Sequence, residues 1–431
     1  MTILHLKRAS DAATVLNENT TLTVSQMLER IEKEGEVAVS AYSSELDNWT
    51  PQSFVVSPEQ IEKATSELSR QDRSDIDFSL NQVLQFAAAQ RETMHDLEVE
   101  IAPGLVAGHR HIPVGVAGCY VPGGRYAHVA SAAMSIGTAK AAGVPQIVAC
   151  SPPRGEQGIH PATLYAMSSA GADKILCLGG VQAIAAMAFG LYTGQAADVL
   201  AGPGNRFVAE AKRLLFGRVG IDVFAGPTEA LVIADGDADP SIIAVDLVSQ
   251  AEHGPDSPTV LVTTSRRVAE EVMKLVPGAL STLPSREAAT QAWDDCGEVI
   301  LVDTRAEAAQ VSDAYASEHV EVHAADLDWW RSTLRNYGTL FLGEETTVSY
   351  GDKSTGPNHI LPTKGAARYT GGLWVGKFLK TLTFQHMTRE ASRNIGEVVA
   401  RLSRIEGMEG HARAADVRIN KYFPDQGSLR S

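Results

Sequence analysis

Four stretches of the chain combine residues that can hold a metal ion or move a proton. Gln250 and His253 stand three residues apart at the end of a predicted helix, so they share a face. An amide oxygen and an imidazole can both ligate zinc, although a His at a helix end also serves as a cap or a surface residue. Glu318 and His319 are adjacent after another predicted helix and offer two proton acceptors at neutral pH. The same position suits a His that merely answers the helix dipole. Residues 351–372, GDKSTGPNHILPTKGAARYTGG, form a long loop that carries Asp352, Lys353, His359, Lys364 and Arg368. Loops of that length with convergent polar groups are uncommon unless they have a function, and an ordinary surface loop is the competing reading. The fourth stretch, Glu406 to His411, reads EGMEGH near the C-terminus. His5, His95, His160 and His323 are read as surface histidines without a role.

Two glycine loops could approach a nucleotide. Tyr120-Val121-Pro122-Gly123-Gly124 follows an apolar run, and Ala201-Gly202-Pro203-Gly204-Asn205 follows DVL and opens a helix. Glycine lets a backbone come close to a phosphate, and a helix N-terminus attracts one. Neither loop matches G-x-G-x-x-G or a Walker A loop, so by spacing alone each is equally a tight turn.

The elements that must position these residues change in character along the chain. The first 100 residues read as helices: one over Thr23 to Glu34, one after Ser57-Pro58, and one from about Asp77 to Leu97. From Gln146 onward, short β-rich runs such as QIVACS, KILCLG, DVLAG and IDVFAG alternate with helical runs. A second series follows through EALVIAD, TVLVTTS, EVILVDT and GTLFLG, and a charged helical tail begins at Glu390. This alternation predicts α/β units built on parallel sheets.

Composition sets outer limits. Lys and Arg total 37 against 52 Asp and Glu, a net charge of -15, which argues against general nucleic-acid binding. A small anionic substrate stays possible, because a local cation outweighs a distant acidic surface. Hydrophobic residues at 44% allow a core of normal size, so neither disulfide nor metal is required for folding alone. Cys119, Cys150, Cys177 and Cys296 form no C-x-x-C pair, which speaks against a disulfide framework or a thiolate zinc site. No long apolar run suggests a membrane span or a secretion signal, and the expected compartment is the cytoplasm.

Taken in order, YVPGG, GGVQAIAAMAFG, AGPGN, FAGPTEALVIAD, QAEHG, SEH, GPNHILPT and EGMEGH resemble the histidinol dehydrogenase family over nearly the whole chain. The resemblance implies an α/β fold of two Rossmann-like doubly wound domains with helical N- and C-terminal appendages. The expected division is 1–125 plus 238–375 as a discontinuous first domain with N-terminal helices, 126–237 as an inserted second one, and 376–431 as a helical dimerisation segment. It also implies that Gln250, His253, Asp352 and His411 ligate Zn2+ and that Glu318 and His319 are the catalytic acid/base pair. Tyr120, Gln182 and Asn205 then contact NAD, while Thr228, His359 and Glu406 hold substrate, with Thr228 where the family usually has Ser. The implied assembly is a homodimer whose site is completed by Glu406 and His411 of the partner chain. The implied reaction takes a primary alcohol to a carboxylate through an aldehyde, in two hydride transfers to NAD.

The departures from the family pattern concern substrate. The chain continues VPGG with RYAHVAS, so His128, Val129 and Ala130 replace a usual Tyr, Pro and Ser. Lys364 follows LPT where a small or aromatic residue is usual, and Gln385 and His386 stand where the biosynthetic enzymes differ. These changes resemble the sulfopropanediol 3-dehydrogenase branch, which oxidises 2,3-dihydroxypropane-1-sulfonate to sulfolactate. A sulfonate needs donors and positive charge, and Arg125, His128 and Lys364 are the candidates to supply them. The alternatives are a histidinol dehydrogenase acting on histidinol and, in another class, a non-catalytic zinc-stabilised binding protein.

Overall fold

A computed structural model describes residues 3–10, 18–123, 127–223 and 226–424. Arg125 lies outside the described residues. The chain divides into two compact units, Met1–Arg91 with Val114–Phe378 and Glu92–Pro113 with Leu379–Ser431.

The first unit holds two sheets of the same winding. A five-stranded parallel sheet runs in the spatial order Lys174–Cys177, Gln146–Ser151, Val116–Tyr120, Val199–Ala201 and Gly220–Ile221. A six-stranded sheet runs Leu4–Lys7, Glu298–Leu301, Thr259–Thr263, Ala230–Ala234, His319–His323 and Thr339–Leu342. Only Leu4–Lys7 in that sheet is antiparallel to its neighbour. Within each sheet the five parallel strands follow the order 3-2-1-4-5, a doubly wound half in which the chain reverses its winding between its first and fourth strands.

Local signals explain where the helices begin. Ser57 caps Pro58–Glu67 in a capping box with Gln60, and Pro58 occupies the first turn, where its missing N–H costs nothing. Thr304 and Glu307 form the same box at the start of Arg305–Tyr315. The two predicted helices begin earlier than expected, at Glu18 and Arg70, and the second, Arg70–Glu92, stops short of the expected end at Leu97.

The sheets change over at different points from the expected domain boundaries. Val116–Tyr120 falls before residue 126 yet is the central strand of the five-stranded sheet, and Ala230–Ala234 falls before 238 yet is central in the six-stranded one. The N-terminal helices also side with the five-stranded sheet: Val24, Met27, Leu28 and Ile31 share a core with Val148, Leu176 and Ile184. Hydrophobic period reveals that a segment is a strand, but the partner is chosen by packing. The four cysteines are free and buried. No helix among the described residues is long and apolar enough to cross a membrane.

The second unit is not purely helical. Leu379–Met387 pairs antiparallel with Leu105–Pro113 along its full length, and Leu97–Ala102 flanks the latter in a three-stranded sheet. Residues near 97–113 and 379–387 thus form strands where the reading of the sequence placed helix or left the segment unassigned. Their alternation of charged and apolar residues is the period-2 signal of a strand with a wet face. Helices Arg389–Ile405 and Glu409–Tyr422 complete this unit around Ala400, Ala412 and Ala415.

Candidate active site

Glu318 and His319 sit at the amino end of the strand His319–His323, directly beside the amino end of Ala230–Ala234. Both are buried. The Glu229 backbone holds the two together: its N–H donates to Glu318 Oε2 at 3.0 Å, and its carbonyl lies 3.2 Å from His319 Nδ1. A carbonyl can only accept, so Nδ1 carries the proton and Nε2 presents a lone pair. That Nε2 is buried without a hydrogen-bond partner and faces Asp352 Oδ1 at 3.9 Å. Burial pushes the imidazole pKa down against the opposing pull of Asp352, which favours the neutral, proton-accepting form. Burial also drives the Glu318 carboxyl well above the usual range, with the charges of Glu229 and Asp352 adding to it. An acid and a base are therefore set side by side by one backbone segment.

Asp352 ends near the close of the short helix Val348–Lys353 and stands between two imidazoles, His319 and His359. His359 Nδ1 is 3.0 Å from the Asp352 carbonyl, so it donates there, and its Nε2 accepts from the Ser131 hydroxyl at 3.0 Å. Asn358 donates from its amide to the carbonyl of Met134 and is fixed further by Thr138. The 351–372 loop is thus tied to the helical segment that follows the central strand of the five-stranded sheet. His128 lies in the same neighbourhood. Burial, then the positive potential of His359, Lys353 and His253, takes its pKa down to about 4. His128 accordingly offers a hydrogen-bonding ring here rather than the positive charge expected of it.

Of the expected zinc ligands, Gln250 is 3% exposed on the helix Pro240–Ala251, and its Oε1 is an orphaned acceptor. His253 follows just past that helix, where its N–H bonds the Gln250 carbonyl, and its side chain acts electrostatically on His319 and His359. A buried amide oxygen with no donor, a half-buried carboxylate and a nearby imidazole fit a borderline divalent cation. His411 stands exposed on Glu409–Tyr422 and Glu406 caps Arg389–Ile405, both in the second unit.

The loop around Thr228 closes one side. Thr228 is half-buried, Gly226 donates to the Thr363 hydroxyl, and the Lys364 N–H donates to Glu229 Oε1 at 2.7 Å. The exposed Lys364 therefore stands at the rim of the segment that carries Glu229, with its backbone at φ 55°. Glu229 and Ser131 had no signal in the sequence. Their contacts with Glu318, His319 and His359 run through backbone groups or one hydroxyl, and such groups are common to every residue or to every serine.

The residues expected to meet a nucleotide gather at the carboxyl end of the five-stranded sheet. Tyr120 ends its central strand, and its hydroxyl accepts the Gly180 N–H at 3.2 Å. Gln182 lies one turn into the next helix, 1% exposed, donating to Asp47 while its Oε1 is left without a partner. Asn205 caps Arg206–Leu215 by accepting from the N–H groups of Phe207 and Val208. Gly202 sits at φ 118°, and a Cβ there would run into the Tyr120 carbonyl oxygen. Asp222 and Lys212, a buried ion pair, grip Gly202 from both sides: Asp222 Oδ2 accepts its N–H at 2.7 Å and Lys212 donates to its carbonyl at 2.9 Å. Glycine turns, two helix starts and an orphaned amide oxygen thus meet at the carboxyl end of this sheet, where doubly wound folds usually bind ligands.

Comparison with known proteins identifies the family. The family model described as histidinol dehydrogenase matches residues 10–419. A histidinol dehydrogenase homolog of Ruegeria pomeroyi is 54% identical over 98% of this chain and 98% of its own length. The sulfopropanediol 3-dehydrogenase of the same organism is 52% identical over 99% of this chain and 98% of its own. Among solved structures, histidinol dehydrogenase from Elizabethkingia anophelis superposes with a TM-score of 0.90 at 32% identity, covering 95% of this chain and 94% of that one.

Proposed function

The chain belongs to the histidinol dehydrogenase family and is an oxidoreductase that acts on an alcohol; from that premise we propose that it oxidises 2,3-dihydroxypropane-1-sulfonate to sulfolactate with Zn2+ and NAD. The observation that carries the substrate class is the 52% identity, end to end, with a protein named sulfopropanediol 3-dehydrogenase. Lys364 at the rim, as a cation, and the uncharged His128 ring near His359 and Lys353, as a hydrogen-bonding group, support an oxygen-rich anionic group in place of an imidazole ligand. When bound, NAD takes up the hydrides and the metal orients the substrate and polarises its oxygens.

The remaining work falls to the chain. His319 Nε2, with its lone pair aimed into the site, accepts the hydroxyl proton of the alcohol. Glu318, held beside it with a raised pKa, exchanges a proton with the water that adds to the aldehyde, and so prepares the second oxidation. Gln250, His253 and Asp352 are the residues of this unit that would hold the metal. Tyr120, Gln182 and Asn205 line the cradle for NAD, and Thr228 and His359 flank the substrate. The exposed Leu402, Ile405 and Val417 on the helices of the second unit support a partner chain that covers them, and Glu406 and His411 would act across that contact. The site lies at strand ends and loops with no membrane or nucleic-acid feature, which suits a small-molecule enzyme of the cytoplasm.

The deciding experiment measures NADH formation with 2,3-dihydroxypropane-1-sulfonate and with histidinol on the same preparation. The expected result is turnover of the sulfonate diol with far higher kcat/KM. Preference for histidinol would overturn the substrate assignment and leave the acid/base roles standing.

A further inference from the structure

The strand His319–His323 is buried throughout, yet only Val320 and Val322 enter an apolar core. His319, Glu321 and His323 alternate onto the opposite face. Asp246 faces the latter two from the helix Pro240–Ala251, one turn before Gln250. His323 Nε2 lies 3.7 Å from Asp246 Oδ2 and 3.7 Å from Glu321 Oε2. One donor atom from each of the three falls within 4.8 Å of the others, the one group of three His, Cys, Asp or Glu so placed among the described residues.

Each carboxylate of this cluster is hydrogen-bonded through one of its two oxygens. Glu321 Oε1 accepts the Val348 N–H at 2.7 Å, and Asp246 Oδ1 accepts the Thr347 hydroxyl at 2.9 Å. Each carboxylate is thus oriented from behind while its other oxygen points at the imidazole. His323 is 1% exposed, and neither of its ring nitrogens has a hydrogen-bond partner; Asp246 Oδ2 has none either. Buried polar atoms in native proteins are almost always satisfied, so donors converging without partners call for an occupant. Outer hydrogen bonds that aim carboxylates inward are the usual support of a metal centre. Burial, then the charge of Glu321, takes the Asp246 pKa up to about 6, as expected of two carboxylates crowded together.

We propose that Asp246, Glu321 and His323 bind a divalent cation of the zinc class, at a centre separate from Gln250, His253 and Asp352. A nitrogen donor with two carboxylate oxygens suits zinc or a related transition ion, whereas calcium takes six to eight oxygens. Tetrahedral zinc holds its donors about 3.4 Å apart, so the two 3.7 Å spacings to the imidazole need close by only ~0.3 Å, while the two carboxylate oxygens lie within 4.8 Å of each other. At about 3.3 Å of rise per residue, His323 lies roughly 13 Å along the strand from His319, at the other end of the sheet. The imidazole gives up a proton, if it carries one, when the cation binds.

The test loads the purified full chain with excess Zn2+, removes free metal by desalting and measures zinc per chain. His323→Leu and Asp246→Asn should each hold one equivalent fewer than the unsubstituted protein, and His253→Ala should retain the equivalent at this cluster. If the unsubstituted protein holds one equivalent that survives His253→Ala and disappears in His323→Leu, this inference stands and the metal assignment at Gln250, His253 and Asp352 fails. Unchanged zinc in folded His323→Leu or Asp246→Asn overturns it. Should neither of those fold, His253→Ala decides alone: a chain emptied of zinc by that substitution overturns the inference, and one equivalent retained supports it.

Discussion

The two sheets of the first unit share a strand order but use opposite ends. In the five-stranded sheet the glycine loops, Tyr120 and Asn205 all lie at the carboxyl ends of Val116–Tyr120 and Val199–Ala201, where doubly wound folds usually bind ligands. In the six-stranded sheet the acid/base pair lies at the amino ends of the two equivalent strands, His319–His323 and Ala230–Ala234. Winding therefore marks where a crevice can form, and the side chains and abutting loops decide which end is used. The means of support differ too. The nucleotide cradle is gripped by a buried ion pair, Lys212–Asp222, whereas Glu318 and His319 are held by the Glu229 backbone. The backbone of Glu229 fixes the hydrogen bonds of the pair, while the charge of its side chain helps to keep the Glu318 pKa high.

The contrast can be broken most severely at the amino-end pair. Glu318→Gln keeps the shape and the bond to the Glu229 N–H but cannot take up a proton. Turnover from the aldehyde should fall about 10²–10⁴-fold while the first oxidation is retained, as separated by single-turnover NADH formation. Equal loss in both half-reactions would contradict the division of roles between Glu318 and His319.

At the cradle, Lys212→Met leaves Asp222 charged and buried without its partner. Denaturant unfolding should show a loss of about 3–5 kcal/mol, with weaker NAD binding in whatever remains folded. A loss under 1 kcal/mol would mean that water reaches the pair and that the grip on Gly202 is not set by it.

Gly202→Ala strikes the same cradle. The left-handed backbone at φ 118° costs on the order of 1–3 kcal/mol, the clash with the Tyr120 carbonyl adds to that, and the KM for NAD should rise more than kcat falls. An unchanged KM would detach this loop from the cofactor.

The mildest substitution is Ser131→Ala, which removes the hydroxyl donating to His359 Nε2. About 0.5–1.5 kcal/mol should be lost, seen as a several-fold rise in substrate KM with kcat nearly kept. A kcat effect as large as that of Glu318→Gln would give Ser131 a part in the chemistry itself.

Much of the architecture was legible in the chain. The βαβ alternation announced parallel sheets, and Ser57-Pro58 announced a helix start. The resemblance of QAEHG, SEH and GPNHILPT to one family named Gln250, His253, Glu318, His319 and His359 before their contacts were known. Other features were hidden. The strand Leu379–Met387 pairs with Leu105–Pro113 across 266 to 282 residues of chain, and with Leu97–Ala102 they form a sheet only when paired. His323 read as a surface residue, because a polar-apolar alternation normally marks a strand with one wet face. Here both faces of His319–His323 are covered, and the polar one turns inward onto Asp246.

By itself the sequence determined which residue types were available and the local order of helices and strands, because capping, periodicity and glycine placement act over a few neighbours. Tertiary structure alone decided that Val116–Tyr120 belongs to the five-stranded sheet, that Glu229 holds the acid/base pair and that Ser131 reaches His359. Those outcomes depend on strand pairing and on the burial of apolar faces across long separations. Backbone hydrogen bonds, which every residue can make, carry no mark in the sequence until the fold brings their partners together.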